Sequence, residues 1–292
     1  MGSTISLLLP SRGRPKQLKR LFDSILKKTS NLSNVEIFLY LDEDDAHNYN
    51  LPNGSINLKK IVGPRMTMGA YNTACLKRST NDVVILLNDD MVIHTDGWDR
   101  IILDLHNNIE DGIYLAYAND MYKKSRFCTI PILSRKTAEL LLDPYPELYK
   151  GAFLDVHLFD IFKRLAKTGH ERIYYMENVV LEHLHYRAGK ADMDETYRHR
   201  DRFGDDETFI LLSEMRRVSA GRLEAAITGG ELPELPKLRI SHHISNGAKT
   251  ALVTYSKTFL FDSTLPVMWR LQLFIWFLGR YIVGKGYLGK VA

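Results

Sequence analysis

The chain has 292 residues, of which 45% are hydrophobic and 25% charged, as expected for a globular protein that buries a sizeable core. The net charge is +4, but aromatic residues are not interleaved with basic runs, which excludes a nucleic-acid-binding surface. The two cysteines, Cys75 and Cys128, lack metal-ligand spacing, and no secretory segment precedes the first predicted strand. We therefore expect a cytoplasmic location.

Predicted strands and helices alternate along the first half of the chain. A strand at residues 5–9 leads through a turn at 10–15 into a helix whose apolar residues show helical spacing. A second strand, at 35–41, ends in the acidic cluster Asp42-Glu43-Asp44-Asp45. Further elements are predicted at 61–62, 70–76, 83–87 and 98–109. This alternation is typical of an α/β fold with a mainly parallel sheet flanked by helices.

After Gly112 the pattern becomes mixed. Strands are predicted at 113–118, 173–176 and 179–181, and helices after Ser134, at 153–167 and at 205–228. The Gly229-Gly230 pair, followed by two prolines, marks the predicted domain boundary. We therefore expect a first domain over residues 1–228, and a linker with a helical C-terminal extension over residues 229–292.

The C-terminal segment at 266–283 is rich in apolar and aromatic residues but is interrupted by Arg270 and Arg280. It is too short and too charged for a transmembrane helix. With Lys285 and Lys290 just beyond it, the segment suits a helix in the interface of an anionic membrane. The alternative is a helix that packs on the main domain or on a second subunit of a homo-oligomer.

The most informative stretch is an apolar run at 83–87 that stops at Asn88-Asp89-Asp90. Such a run predicts a strand buried on both faces, and ligands bind at the carboxyl ends of strands in open α/β sheets. Neighbouring carboxylates there repel each other unless a cation or donor groups neutralise them. Metal-bound phosphate is the first interpretation, and a turn that caps the next helix is the alternative.

Taken in order, five segments resemble those of the GT-A glycosyltransferases, in particular the inverting family 2 type, over roughly residues 4 to 190. They are Leu9-Pro10-Ser11-Arg12-Gly13-Arg14-Pro15, Gly69-Ala70-Tyr71-Asn72, Leu87-Asn88-Asp89-Asp90, Gly97-Trp98-Asp99 and the late His183-Leu184-His185. The resemblance implies a GT-A, Rossmann-like fold with a mixed, mainly parallel sheet. It also implies a nucleotide-sugar donor and a carbohydrate or lipid-linked acceptor.

The family's Asp-x-Asp motif falls on residues 88–90, with Asn88 at its first position. Asn88 brings no charge to a metal, so the resemblance implies that Asp90 is the direct ligand of Mn²⁺ or Mg²⁺. His183 and His185 share one face of a strand, so a second ligand is expected from His183, with His185 as the alternative or as a donor to phosphate. An isolated histidine is more often structural, but this pair follows a predicted strand in the family's place.

Nucleotide contacts are implied at the first strand exits. The candidate residues are Pro10, Ser11, Arg12, Asp42, Arg65, Asn72, Asn88 and Asp89. Asp42 competes with Asp90 for the metal role because its cluster is denser in acids. Its place in the family pattern favours the nucleoside, and the acids that follow it are expected to form a solvated turn.

The family's catalytic base is a carboxylate at the start of a helix, and Asp155 fits that place. Asp155 has a plain alternative role, which is to stabilise the helix dipole. Trp98 is either a sugar-stacking aromatic or a core residue. The leading hypothesis is thus a metal-dependent, inverting glycosyltransferase of polysaccharide or glycolipid synthesis that uses a UDP-sugar. A sugar-phosphate nucleotidyltransferase and a catalytically idle, membrane-tethered nucleotide-sugar-binding protein are the alternatives.

Overall fold

The structure is a computed structural model that describes residues 2–50, 56–186, 189–190, 201–237 and 247–284. The chain divides into two compact units, of which unit 1 comprises Met1–Phe159 and Arg172–Arg200. Unit 2 comprises Asp160–Glu171 and Asp201–Ala292. Unit 2 therefore contains the helices between residues 201 and 228 together with the C-terminal helices. The domain boundary after residue 228 stays a prediction from the sequence.

Unit 1 is built on one mixed sheet of eight strands in the order β3-β2-β1-β4-β7-β6-β8-β5. The strands are β1 (Ile5–Ser11), β2 (Val35–Asp42), β3 (Asn57–Gly63), β4 (Val83–Leu86), β5 (Met91–Ile93), β6 (Leu115–Asn119), β7 (Pro131–Ser134) and β8 (Ile173–His183). Strands β3, β2, β1 and β4 run parallel, β7 is antiparallel to both of its neighbours, and β8 pairs parallel with β6 and antiparallel with β5. The predicted mixed, mainly parallel sheet is therefore present.

Helices flank this sheet because their apolar residues recur on one face. The helices are α1 (Pro15–Lys28), α2 (Met68–Arg78), α3 (Trp98–Asn107), α4 (Arg135–Leu141) and α5 (Leu154–Lys167), whose last residues belong to unit 2. In α1, Leu18, Leu21 and Ile25 are buried in the same core cluster as the strands. Trp98 is fully buried in that cluster and donates to Thr29 Oγ1 at 3.1 Å, so it is a core residue.

Unit 2 is helical where the structure describes it. Its helices are α6 (Asp206–Leu211), α7 (Ser213–Thr228), α8 (Ala248–Tyr255) with a π-helical turn at Ser256–Leu260, and α9 (Val267–Gly284). Its interior holds a buried charge network in which Asp160 Oδ2 accepts from Arg164 Nε at 2.9 Å and from Arg216 Nε at 2.7 Å. Two arginines on one carboxylate lower the pKa of Asp160 to about 2, against the opposing effect of burial. The predicted helical C-terminal extension is therefore present.

The apolar segment at 266–283 forms α9. Among the residues that the structure describes, no helix is both long enough and apolar enough to cross a bilayer. Lys285 and Lys290, which the sequence places at the end of the predicted interfacial helix, lie outside the described residues.

Candidate functional site

The carboxyl ends of three parallel strands place polar residues along one edge of the sheet. Ser11 is the last residue of β1, Asp42 is the last residue of β2, and Asp89 and Asp90 follow β4. Because β1 lies between β2 and β4 and is parallel to both, the three exits are neighbours. The acidic segments that were far apart in the sequence thus belong to one region of unit 1.

Asp89 is buried and bound by residues of the first strand exit. Its carboxylate accepts from Ser11 Oγ at 2.8 Å and from Arg14 Nη1 at 3.0 Å. Burial raises the pKa of Asp89 to about 6, although the Arg14 charge and the Ser11 bond act in the opposite direction. Asp89 therefore fixes the 11–14 turn against the end of β4.

Asp90 lies beside the late histidine. His183 Nε2 is 3.2 Å from Asp90 Oδ1, and Arg14 Nη1 is 3.6 Å from Asp90 Oδ2. The antiparallel pairing of β5 with β8 sets this geometry, since it places His183 opposite Met91, the residue after Asp90. The Leu184 amide also donates to the Asp90 carbonyl at 3.0 Å. An early acid and a late histidine are thus in direct contact.

His185 lies close to His183 but has a more aromatic environment. The two imidazole ring centroids are 5.2 Å apart. His185 stacks on Tyr186 at 4.7 Å and on Tyr122 at 6.0 Å between centroids. His183, in contrast, is in direct contact with the carboxylate of Asp90.

Asp90 and His183 are side chains of the kinds that bind divalent cations. Within the described ranges, no group of three or more His, Cys, Asp or Glu residues is positioned to hold a metal ion. Asp90 and His183 supply one carboxylate and one imidazole, and His183 Nδ1 is buried with no hydrogen-bond partner among the described residues. Mg²⁺ in phosphate-transfer sites takes one or two protein carboxylates and completes its shell with phosphate oxygens and water. Asp90 and His183 match such an open site better than a closed protein cage.

The acids at the end of β2 are already paired with donors. Asp42 is buried and accepts from Arg12 Nη1 and from the Tyr71 hydroxyl, each at 2.6 Å. Arg12 also forms a two-pronged pair with the exposed Asp44, at 2.6 and 2.8 Å. Asp45 accepts from the Gly13 amide at 2.6 Å. Burial and the bond to Asp42 raise the pKa of Tyr71, so Tyr71 stays a neutral donor.

The remaining predicted nucleotide contacts differ in exposure. Pro10 and Asn88 are half-buried at the ends of β1 and β4, and Arg65 is exposed. Asn72 is buried in α2, where its Nδ2 donates to the Met68 carbonyl at 2.9 Å. Asn72 Oδ1 has no hydrogen-bond partner among the described residues. Asn72 thus keeps an acceptor atom that its own helix does not use.

Asp155 lies in the first turn of α5 and is half-buried. Its Oδ1 accepts from the Val156 amide at 2.8 Å. Phe153, two residues before Asp155, has a φ of 68°, a left-handed conformation that non-glycine residues rarely adopt. Such outliers cluster at functional sites, where the surrounding structure holds them in place.

Asp120 orders the loop after β6 and contacts the strand that carries His183. Burial raises the pKa of the Cys128 thiol, and the charges of Asp155 and Asp120 add to this shift. The Asp120 carbonyl accepts from the His183 amide at 3.0 Å. The Asp120 carboxylate also accepts from the amides of three following residues, and it thereby orders the loop after β6.

No protein-family model and no curated protein matches the sequence. Solved structures do match it. A mannosyltransferase from Pyrobaculum calidifontis, PcManGT in complex with GDP-Man and Mn²⁺, aligns over 98% of this chain and 88% of its own, with 12% identity and a TM-score of 0.51. The chain has the GT-A fold. TarS 1-349 from S. aureus, in complex with UDP-GlcNAc, aligns over 99% of this chain and 93% of its own, with 11% identity and a TM-score of 0.48.

The fold implied by the sequence motifs is therefore confirmed. In this GT-A protein, three residues near the site were given no individual role in the predictions made from the sequence: Arg14, Tyr71 and Asp120. The sequence did contain an indication for Asp120, because this acid follows a predicted strand, as Asp90 does. Arg14 and Tyr71 carried no such signal, since their partners are 75 and 29 positions away in the sequence.

Proposed function

We propose that this protein is a glycosyltransferase that moves a sugar from a nucleotide-sugar to an acceptor hydroxyl. The observation that carries the proposal is the contact of Asp90 with His183, 3.2 Å between side chains, at the strand exits of a GT-A sheet. In open α/β sheets this edge is the place where ligands bind. The mannosyltransferase of the same fold was solved with GDP-Man and Mn²⁺, which supports a nucleotide-sugar and a divalent metal here.

We assign the metal to Asp90 and His183, with His185 beside them. A divalent cation bound there would offset the negative charge that develops on a leaving diphosphate. Arg14 contributes a fixed positive charge, since its guanidinium lies near both Asp89 and Asp90. Asp89 orients Arg14, and Asn88 offers an uncharged amide at the same strand exit.

We assign the nucleoside to the ends of β1 and β2. Asp42 is held there by Arg12 and Tyr71, so its carboxylate has a fixed orientation from which it can accept from a base or ribose. The Tyr40 and Tyr71 rings lie 4.9 Å apart and add an aromatic wall. Pro10, Ser11, Arg65 and Asn72 complete the proposed contacts. Among the nucleotides, we propose UDP as the first to test.

We assign Asp155 as the general base of an inverting transfer. A base must take the proton from the acceptor hydroxyl as that hydroxyl attacks the anomeric carbon. Asp155 is half-buried, opens α5, and belongs to the same unit as Asp90 and His183. Its place at the start of α5, which matches the position of the base in the family that the sequence resembles, supports this assignment.

The acceptor that we propose is a carbohydrate or lipid-linked sugar of cell-surface polysaccharide or glycolipid synthesis, at the cytoplasmic face of a membrane. A thermal-shift screen of UDP-, GDP-, CDP- and dTDP-sugars with and without Mn²⁺ tests the donor, because a ligand that binds only the folded state raises the melting temperature. We expect one nucleotide to stabilise the protein, more strongly with Mn²⁺. No stabilisation by any of them would contradict the proposal.

Turnover distinguishes the proposal from its alternatives. We expect slow release of free sugar and nucleoside diphosphate from the stabilising donor with water as acceptor. Formation of a nucleotide-sugar from a sugar phosphate and a nucleoside triphosphate would identify a nucleotidyltransferase instead. Tight donor binding without hydrolysis or transfer would identify an idle binding protein.

Asp155→Asn tests the base. The substitution keeps the shape of the side chain but removes its basicity, so transfer should fall by about 10²-fold or more while donor affinity persists. The matched control is Asp104→Asn, at an exposed position on α3, which should leave transfer unchanged. Wild-type transfer by Asp155→Asn would place the base elsewhere.

A further inference from the structure

Exposed apolar side chains concentrate in unit 2. Of the eleven large hydrophobic residues that are exposed in the described part of the chain, seven lie between positions 252 and 275. They are Leu252, Val253, Phe261, Val267, Met268, Leu271 and Ile275. Scattered single apolar residues are normal on a protein surface, whereas several exposed apolar residues on one element mark an interaction surface, and four of the seven lie on α9. We refer to these seven residues as the C-terminal apolar face.

Helix α9 is apolar on two sides. Trp269, Leu273 and Phe277 recur at intervals of four residues and are buried in unit 2. Met268 and Ile275 recur on another side of the helix, where they are 76% and 66% exposed. A helix that is apolar all round is normally covered on all sides, by protein or by lipid. Here one apolar side is covered and the other is open.

The net charge of residues 235–292 differs from that of the rest of the chain. Residues 235–292 contain eight Lys and Arg and one acid, Asp262, which gives a net charge of +7. Since the whole chain carries +4, residues 1–234 carry −3. Asp262 is itself paired with Arg164 Nη1 at 2.7 Å. By its sequence the C-terminal region is therefore basic; among its described residues Arg280 is paired with Asp206, and Lys249 and Lys257 are exposed.

Basic and apolar residues are interleaved on α8. Lys249 is exposed and lies three and four positions before Leu252 and Val253, so helical spacing puts it beside them. Lys257 follows in the π-helical turn and is also exposed. Apolar side chains with cations at their edge are the pattern of helices that lie in a bilayer interface.

We propose that the C-terminal apolar face docks on an anionic lipid bilayer, with Lys249 and Lys257 at the head-group level. A second copy of the chain fits less well, because a symmetric contact would bring the exposed Lys249 and Lys257 of both copies to one interface. Docking concerns unit 2 alone and holds whether or not unit 1 transfers sugar.

Sedimentation of the full-length protein with vesicles tests the proposal. We expect binding to vesicles of phosphatidylglycerol and phosphatidylcholine, and little binding to phosphatidylcholine alone. Raising the salt from about 50 mM to about 500 mM should weaken the binding, because the Debye length becomes shorter than the distance between exposed charges. Equal binding to both vesicle types, or none to either, would overturn the proposal.

A double variant identifies the surface. Met268→Ser with Ile275→Ser removes two exposed apolar side chains, so the partition coefficient for anionic vesicles should fall by at least about tenfold. The matched control is Leu142→Ser with Leu232→Ser, two exposed leucines outside the face, and it should bind as the wild type does. Equal loss in both double variants, or in neither, would contradict the assignment.

Light scattering and a folding check complete the test. A wild-type dimer that becomes monomeric in the Met268→Ser, Ile275→Ser variant, without vesicle binding by either, would show that a second copy covers the face and would overturn the proposal. Donor-induced thermal stabilisation, measured on the same samples, separates this result from the activity of unit 1. An unchanged far-ultraviolet circular dichroism spectrum of the variant, to which the helices of unit 2 contribute, shows that a loss of vesicle binding is not a loss of fold.

Discussion

Two acidic clusters follow buried parallel strands in this protein, and their carboxylates have different partners. At the end of β2, Asp42 and Asp44 are both bound by Arg12, and Asp42 is also bound by Tyr71. At the end of β4, the buried Asp89 is bound by Ser11 and Arg14, while Asp90 faces His183. Arginine and hydroxyl donors thus hold an acid in both clusters, and in the described residues the second cluster also places an acid against a histidine.

The comparison shows that the density of acids is a poor guide to a metal site. What distinguishes Asp90 is a histidine that enters from the far end of the sheet through the β5–β8 pairing. No equivalent late residue is paired with Asp42, whose described donors come from the 10–15 turn and from α2. A nucleoside role for the first cluster and a metal role for the second are therefore the assignments that we propose.

The largest effect on stability is expected at Asp89. Asp89→Ala leaves the Arg14 guanidinium buried without one of its two carboxylates, which should lower the free energy of unfolding by about 3 kcal/mol. Urea unfolding followed by circular dichroism measures this change. A loss below about 1 kcal/mol would mean that the β4 exit is no more tightly constrained than the β2 exit.

A smaller loss is expected at Ser11. Ser11→Ala removes the 2.8 Å bond to the buried Asp89 carboxylate, and the free energy of unfolding should fall by about 1–2 kcal/mol. Ser33→Ala, at an exposed position, serves as the control in the same unfolding experiment. Equal losses in the two variants would show that the bond to Asp89 contributes nothing specific.

The smallest effect is expected at Asp44. Its pair with Arg12 is exposed, and exposed ion pairs add little because water and salt screen them. Asp44→Ala should therefore leave both the melting temperature and the donor affinity unchanged. A clear drop in donor affinity would show that the outer acids of the β2 cluster bind ligand, and that Asp42 is not its only functional carboxylate.

The sequence predicted the elements whose patterns are local. The apolar run at 83–87, the helical spacing in α1 and the strand over 35–41 all appear as expected. Strands β5 and β7 were not predicted, because three and four residues are too few to show a period of two and Pro131 argues against a strand. The two strands expected at 173–181 form one, β8, which a bulge near its middle interrupts.

The sequence predicted which residues belong to the candidate site, but it did not predict which of their side chains bind each other. The motif order placed Asp90 and His183 in one site, whereas the role of Arg14 depends on a tertiary contact with Asp89 that no spacing in the sequence encodes. The same holds for Tyr71, which reaches Asp42 from α2. Long-range hydrogen bonds of this kind arise from strand order, and strand order is visible only in the folded sheet.

Calorimetry of donor binding with and without Mn²⁺ tests the central claim most directly, using the nucleotide-sugar that stabilises the wild type. We expect Asp90→Ala to abolish the gain in affinity that Mn²⁺ gives, and Asp42→Ala to weaken donor binding while the gain from Mn²⁺ persists. Asp104→Ala, at an exposed position on α3, should behave as the wild type does. An unchanged Mn²⁺ effect in Asp90→Ala, or its loss in Asp42→Ala alone, would contradict the account.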